Sequence, residues 1–595
     1  MNSLIELISQ EVAAAFEKAG YDGKYGKVTV SNRPDLCEFQ CNGAMAAKKA
    51  YNKIPRDIAA EVSAQFADSK VIECAEVAGP GFLNIKIKGE FLASYLKEMS
   101  EDEHLGVSKN ENPKTVIIDY GGPNVAKPLH VGHLRSAIIG ECVKRMGRFM
   151  GDKVIGDVHL GDWGLQMGLI IAEIQERKPQ LPYFDDAFEG EYPTEAPFTI
   201  SELEEIYPTA SGKSKLDTPE GKSFKEKALA ATHELQMGRR GYIALWNHIM
   251  NVSVTDLKAN YKKLNVEFDL WKKESDAQPY IPDMVQMMKD KGFAYENEGA
   301  LIVDVKEETD TKEVPPCIIL KSDGASLYTT TDLATIVERM KLFQPDKLLY
   351  VVDKRQEMHF IQVFRTARKT GIVKPETELF HLGFGTMNGE DGKPFKTRDG
   401  GVMRLENLIK EINEEMYKKI AENKAGESFD EEEVRKTAQI VGLAAIKYGD
   451  LSNQASKDYI FSPKKFTSFE GNTGPYILYT MVRIKSILER YKNAGGDPKQ
   501  CSFNPVQTDS EKALMLNAAA FNSAMTGAYA ETAPHRLCAY IYALSNELNH
   551  FYHENKILSE ENEEKKKGWI ALLKLVLKVL ECSIDVLGFE APERM

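Results

Sequence analysis

Two histidines three residues apart, placed where a strand gives way to a helix, constrain this 595-residue chain more than any other feature. The stretch reads Gly122-Pro123-Asn124-Val125-Ala126-Lys127-Pro128-Leu129-His130-Val131-Gly132-His133. Ahead of it, the apolar run Val116-Ile117-Ile118 reads as a buried strand. Behind it, Leu134, Ile138, Ile139, Val143 and Met146 recur at helical spacing as far as Phe149. A helix N-terminus carries unpaired backbone N–H groups and a partial positive charge, so it attracts phosphate. His130 and His133 are expected on one face of the first turn, where both can donate hydrogen bonds to phosphate oxygens as negative charge develops. Gly132 between them removes a side chain and lets a flat base lie against the backbone. Lys127 adds a mobile positive charge on the incoming loop. A single histidine says little, because most are surface or core residues. A strand, a P-N-x-x-K-x-x-H-x-G-H loop and a helix in succession form a far more specific signal.

That loop resembles the H-I-G-H signature of class I aminoacyl-tRNA synthetases. Its full form, P-N-x-A-K-P-x-H-V-G-H-L-R-S, is similar to that of the arginyl-tRNA synthetases. The resemblance implies that His130, His133 and Lys127 are catalytic, that Pro123 and Gly132 contact ATP, and that Asn124 holds the α-amino end of arginine. The family usually has Ser before Pro-Asn, where this chain has Gly122, so a hydroxyl contact at that place is lost.

Length suggests three to five domains at about 100–200 residues each. With 43% hydrophobic and 28% charged residues the composition is that of an ordinary globular protein. No run of 18 apolar residues occurs, and MNSLIELISQEV has two Glu and no basic residue. The expectation is therefore a cytoplasmic protein with no membrane span and no secretory signal. The eight cysteines are scattered and only Cys37 and Cys41 lie close together, so no zinc site is expected and the thiols read as reduced. A net charge of −13 argues against binding nucleic acid by bulk electrostatics. Residues 455–500, with eight Lys or Arg against four Asp or Glu, leave room for a local basic surface.

In the centre of the chain, strand-like runs alternate with helical ones: Val116–Ile118, Lys153–Val158, Ala300–Val305, Cys317–Leu320, Lys347–Val352 and Leu379–Phe384. Such alternation favours a doubly wound parallel sheet with ligands at the carboxyl ends of its strands. Between Pro179 and about Gln286 the strand signal fades into charged helical sequence, read as an insertion. The segment Gly161-Asp162-Trp163-Gly164 is similar to the centre of the family's N-H-x-G-D-W-G-x-Q-x-G, although Val158 stands in place of its Asn. Tyr328 and Asp332, four apart, share a helix face, and a carboxylate beside a phenol suits the planar donors of a guanidinium. The resemblance implies that these two, with Gln356, bind the arginine side chain. The string K-M-S-K-S is missing. By resemblance to the family, the corresponding stretch is Gly385 to Arg398, whose Lys393, Lys396 and Arg398 are expected to clamp ATP phosphates. The resemblance also implies that Thr397 stands at the usual second lysine, with Lys127 supplying its charge.

At the N-terminus, Leu4, Ile5, Ile8, Val12 and Phe16 follow a helical period, Pro55 to Phe66 follows another, and alternation after Gly79-Pro80-Gly81 argues a strand. The module is similar to the extra N-terminal domain of arginyl-tRNA synthetases, which implies that Phe82 and Asn84 meet the D-loop corner of tRNA. An aromatic ring stacks on an unstacked base while an amide reads its edge. From Glu431 onward the pattern is a helical bundle: Ala438 to Tyr448, Pro475 to Tyr491, Lys512 to Ala528, Leu537 to Tyr552 and Lys567 to Leu587. Tyr479 and Arg483, one turn apart, make a platform for single-stranded RNA. The run from Gly471 to Arg483 resembles the family's E-G-x-T-G-P-Y-x-Q-Y-x-x-x-R, with Leu478 replacing Gln, and the ending Ala591 to Met595 is also similar. The resemblance implies that this face and Met595 touch the anticodon loop.

The expected architecture is a multidomain α/β protein. Residues 1–110 form an α/β domain that contacts the D-loop. Residues 111–425 form a Rossmann-like catalytic domain with a helical insertion at about 180–285. Residues 426–595 form an α-helical bundle that binds the anticodon. The resemblance implies an arginine–tRNA ligase that activates arginine with ATP and Mg²⁺ to arginyl-adenylate and pyrophosphate, then acylates the 3′ end of tRNA. A monomer is expected, with no resident metal and no DNA partner. A small-molecule nucleotidylyltransferase would share the H-x-G-H chemistry but have no use for Tyr479 and Arg483. A non-catalytic tRNA-binding paralogue would have lost the histidines or Lys127.

Overall fold

The computed structural model describes residues 1–127, 129–394, 403–423 and 430–595, and these divide into two compact units. The first takes residues 1–110, 419–448 and 467–595, and the second takes residues 111–418 and 449–466.

In the first unit an antiparallel sheet is ordered β1 (Val28–Val30), β2 (Phe39–Cys41), β4 (Phe82–Ile87), β3 (Ile72–Ala78). β3 and β4 join through Gly79-Pro80-Gly81. A side chain at Gly81 would strike Pro55 at 2.8 Å, and its φ of +132° is open only to glycine. Alternation along β4 sends Leu83, Ile85 and Ile87 into the core and leaves Phe82, Asn84 and Lys86 on the opposite face. The helix Leu4–Lys18 starts on a capping box of Ser3 and Glu6 and buries Ile8, Val12 and Phe16. The C-terminal part is helical: Glu431–Leu451, Gly474–Asn493, Asp509–Ala519, Phe521–Ala530, Pro534–Glu554 and Glu563–Leu587. The single helix expected over Lys512 to Ala528 is broken at Ala520. There the Tyr540 hydroxyl bonds the carbonyls of Asn517 and Ala518, a long-range interaction that no local sequence signal marks.

The second unit is built on a five-stranded parallel sheet. Its strands are β5 (Thr115–Tyr120), β6 (Lys153–Leu160), β7 (Leu270–Lys273), β11 (Lys347–Asp353) and β12 (Glu378–Phe384), ordered β12-β11-β5-β6-β7. Strand order reverses between β5 and β11, which opens a crevice at their carboxyl ends. Two expectations change here. The runs expected at Ala300–Val305 and Cys317–Leu320 do not enter this sheet. As β9 (Ala300–Val303) and β10 (Cys317–Leu320) they form a separate antiparallel sheet with β8 (Ala294–Asn297). β8 and β9 are joined by Glu298-Gly299, both at positive φ, a tight hairpin that cannot serve as a parallel crossover. Conversely, the stretch read as a helical insertion contains β7. Leu-Trp-Lys-Lys is short, half-buried and at the sheet edge, so it carries no apolar run. The helices Ile200–Lys213, Pro219–Gln236 and Arg240–Lys263 precede it. A short parallel pair, β13 (Met387–Asn388) and β14 (Tyr459–Ile460), completes the strands.

The helix Val131–Phe149 lies against the sheet, and at Gly140 it comes so near that an added Cβ would sit 2.2 Å from the Tyr120 ring. The Tyr120 hydroxyl is itself held by the Glu141 carboxylate at 2.8 Å, so the ring has nowhere to go. Gly140→Ala is therefore expected to cost about 1–3 kcal/mol by overpacking. Calorimetry on the full chain would read this as a lowered transition for the second unit.

Candidate active site

β5 ends at Tyr120, and the chain then turns through Gly121 at φ +69°. A Cβ at Gly122 would meet the His159 carbonyl oxygen at 2.2 Å, so this backbone has no room for the serine of the family pattern. Backbone bonds pin the loop on both sides. Val125 N donates to Gly161 O at 3.0 Å, Gly161 N to Pro123 O at 3.2 Å, Val131 N to Met403 O at 3.1 Å and Leu405 N to Leu129 O at 2.9 Å.

The helix begins at Val131, so His130 is its N-cap with extended backbone (φ −119°, ψ 168°) and not a member of the first turn as expected. The two rings still come together, with centroids 3.9 Å apart. Each Nδ1 accepts a backbone N–H: His130 N bonds His133 Nδ1 at 3.2 Å, and Gly132 N bonds His130 Nδ1 at 3.0 Å. An Nδ1 that accepts leaves the proton of a neutral imidazole on Nε2, so each ring keeps one N–H free to donate. Burial, with Lys127 nearby, lowers His130. Burial, His130 and Lys127 together push His133 down to about 3. A Cβ on Gly132 would lie 2.7 Å from the His130 ring, which explains the glycine.

The residues after the histidines tie the site together. Ser136 Oγ accepts Gly121 N at 2.8 Å and donates to Val351 O at 2.6 Å, joining the ends of β5 and β11. Arg135 is fully buried, with Nε on Asp450 at 3.0 Å and a terminal nitrogen on Gly385 O at 2.7 Å.

A cavity of about 780 Å³ opens at these strand ends. Of the expected site residues, His130, Gly132, His133, Tyr328, Asp332 and Gln356 line it. Pro123, Asn124, Lys127 and Lys393 do not. Asn124 packs its amide over Gly161, where a Cβ would lie 2.1 Å from Asn124 Oδ1. Lys127 Nζ rests 4.6 Å over the Tyr207 ring. Lys393 closes a turn in which Gly389 N donates to its carbonyl at 2.8 Å. Lys396 and Arg398 lie outside the described residues, as does Thr397.

Cavity residues that the sequence reading did not single out include Glu274, His359 and His159. Glu274 immediately follows β7, and burial pushes its carboxyl up to about 7. The signal was its place at a strand end, hidden because β7 was not seen. His359, five residues beyond Lys354, meets Asp332 Oδ2 through Nε2 at 2.5 Å. His159 lines the cavity, and neither of its ring nitrogens has a hydrogen-bond partner. Among the described residues, Asp119, Asp157 and His159 are the one cluster close enough to hold a metal, but Arg339 donates to Asp119 at 2.6 Å and to Asp157 at 2.7 Å.

In the first unit, Asn84 Oδ1 accepts Gln40 Nε2 at 2.9 Å beside Phe82 on the outer face of β4. Leu478 is fully buried, while Tyr479 is 42% exposed. The Arg483 guanidinium lies 5.0 Å from the Tyr479 ring and 5.2 Å from that of Tyr552, and it donates to Asn549 Oδ1. Tyr552 and Asn549 were not singled out from sequence, because they come from the helix Pro534–Glu554, far along the chain. Met595 is half-buried at the chain end.

Residues 96–463 match the family model described as tRNA synthetases class I (R), catalytic domain. Residues 477–595 match a DALR anticodon binding domain, and residues 2–87 an arginyl tRNA synthetase N terminal domain. The chain is 66% identical to an arginine–tRNA ligase of Agathobacter rectalis and 56% identical to one of Alkaliphilus oremlandii, each over 100% of both chains. Similar solved structures are arginyl-tRNA synthetases from Plasmodium falciparum (TM-score 0.81, 24% identity) and Thermus thermophilus (TM-score 0.79, 22% identity), each covering 100% of both chains. These two bear on the fold.

With its pKa near 3, His133 is neutral throughout the physiological range. In ¹⁵N NMR of the labelled protein its Nδ1 and Nε2 shifts should hold a single neutral tautomer from pH 8 down to 5. A titration near 6.5 would contradict the geometry.

Proposed function

The chain belongs to the arginyl-tRNA synthetases of class I, and from that premise we propose how its residues divide the work of joining arginine to tRNA at the expense of ATP. The arginine carboxylate attacks the α-phosphate of ATP, pyrophosphate leaves, and the arginyl group then passes to the 3′ end of tRNA. What carries this reading is the lining of the cavity, which brings two neutral N–H donors at a helix N-terminus together with the carboxylates of Glu274 and Asp332.

Nε2–H of His130 and of His133 donate to the phosphate oxygens on which charge grows in the transition state. Neutral rings serve as donors without having to lose a proton. Pro123 and Gly132 leave a flat approach for the nucleotide. Lys127, with Lys393, Lys396 and Arg398, holds the β- and γ-phosphates. ATP enters as its magnesium complex, so the metal comes with the substrate, and Arg339 occupies the one acidic cluster described.

Glu274 and Asp332 meet the guanidinium, with the Tyr328 hydroxyl and the Gln356 amide beside them and Asn124 at the α-amino end. Because His359 takes Asp332 Oδ2, Oδ1 is the oxygen left for the substrate. An uncharged or shorter side chain would leave Glu274 and Asp332 Oδ1 without the donors of the guanidinium, which rejects it without an editing domain.

Transfer RNA spans the chain in this reading. Residues 1–110 meet the D-loop through Phe82 and Asn84, residues 111–425 hold the 3′ end, and residues 426–595 meet the anticodon loop through Tyr479, Arg483 and Met595. Among the described residues no helix is long and apolar enough to cross a membrane. We place the protein in the cytoplasm as a monomer.

ATP–pyrophosphate exchange should require arginine and tRNA together, with the other nineteen amino acids silent. Lys127→Ala should lower kcat by about 10²–10³ with little change in the KM for arginine. Exchange driven by another amino acid would sink the pocket assignment.

The raised Glu274 carboxyl adds a pH signature. A guanidinium binds the ionised carboxylate, so arginine binding releases a proton wherever the empty pocket is still protonated. The KM for arginine should stay flat above pH 8 and rise as pH falls through about 7, approaching 10-fold per pH unit. Glu274→Gln should raise the KM and abolish the break. A KM that shows no break near 7 would remove Glu274 from the pocket.

A further inference from the structure

The Gly161-Asp162-Trp163-Gly164 motif takes no part in the chemistry above, and Asp162 does not line the cavity. Its carboxylate is nevertheless completely buried, and both oxygens go to one residue: Oδ1 accepts Ser275 N at 3.0 Å and Oδ2 accepts Ser275 Oγ at 2.6 Å. Ser275 is the neighbour of Glu274. The backbone of Trp163, the next residue of the motif, favours the ionised form of Glu274 against the burial that raises it. The motif is in turn fixed from behind. Trp246 Nε1 donates to Asp162 O at 3.1 Å, Gln236 Nε2 donates to Trp163 O at 2.9 Å, and the two tryptophan rings meet edge to face at 5.7 Å.

Glu274 needs such support. It follows a four-residue strand that pairs on one side only, with β6, and short edge segments open easily. A carboxylate that must meet a planar fork of donors has to be held in direction as well as in place. Burying Asp162 is costly, and a buried carboxylate is tolerated when its donors are fixed. Here those donors are the backbone and hydroxyl of the residue beside Glu274.

We propose that Asp162 is a positioning group for arginine recognition, aiming the Glu274 carboxylate through Ser275 while touching no substrate. This rests on the reading of Glu274 as a guanidinium ligand. It gives the motif a role in amino-acid affinity and none in the chemistry at phosphate.

The test uses the full chain with tRNA in the pyrophosphate exchange assay. Asp162→Ala leaves the Ser275 N–H without its acceptor. It should raise the KM for arginine about 10-fold, with the KM for ATP and kcat within about 2-fold of the parent. Asp162→Asn should restore most of the affinity, since an amide can accept from Ser275 N and donate to Ser275 Oγ. Ser275→Ala, which removes one bond of the two, should raise the KM for arginine about 3-fold, and it serves as the decisive variant should Asp162→Ala fail to fold. Glu274→Gln is run alongside. If it raises the KM for arginine while the Asp162 and Ser275 variants do not, the positioning role is overturned and Glu274 keeps its place. If it too changes nothing, the ligand reading falls and the positioning role with it. A parallel loss of kcat and of affinity for both substrates would mark Asp162 as a residue of the fold alone.

Discussion

Asp119 on β5 and Asp157 on β6 stand opposite each other in register, Asp157 buried and Asp119 half-buried, and two carboxylates so placed repel unless something neutralises them. Arg339 does so with a single terminal nitrogen that reaches both, at 2.6 and 2.7 Å. The guanidinium comes from the helix Tyr328–Leu342, the same helix that brings Tyr328 and Asp332 to the cavity. One ion-paired group thus joins two central strands to the helix that carries part of the proposed arginine pocket. Removing either side would leave an uncompensated buried charge, typically worth about 3–5 kcal/mol.

Beside that ion-paired group, the cavity is lined by both hydrogen-bond donors and carboxylates. The histidine pair owes its donors to backbone geometry: two N–H groups at a helix start occupy both Nδ1 atoms, and burial keeps both rings uncharged. The acidic lining owes its properties to poor hydration, which leaves Glu274 half-ready to ionise until a cation arrives. A pocket lined by neutral donors and by carboxylates suits a substrate with a carboxylate to be activated and a guanidinium to be recognised.

Much of this was legible in the chain. The strand–loop–helix around His130 and His133, the pair Tyr328 and Asp332 one helical turn apart, and the helical C-terminal part all follow from short-range spacing, which local sequence encodes directly. Even there the detail shifted, since His130 proved to be the cap of the helix and not its first turn. β7 was missed and β9 and β10 were placed in the wrong sheet. β7 pairs with a strand more than a hundred residues earlier, whereas β9 and β10 pair with close neighbours, and an apolar run alone does not say which sheet it joins. The missed strand concealed Glu274, the one carboxylate whose acidity most distinguishes the pocket. His359 lies three residues beyond Gln356, yet its partner Asp332 lies 27 residues earlier and meets it only once two helices pack.

Sequence alone determined the signature loop, the residue types a phosphate and a guanidinium need, and the family those patterns resemble, because each is a matter of spacing within a turn or two of backbone. Only the tertiary structure decided which of those residues share a cavity, which tautomer the histidines hold, and why Gly122 has no room for a side chain beside the His159 carbonyl. It also brought Asp162 onto the neighbour of Glu274, 113 residues away. Those outcomes depend on burial and on contacts between distant segments, and neither exists until the chain has closed on itself.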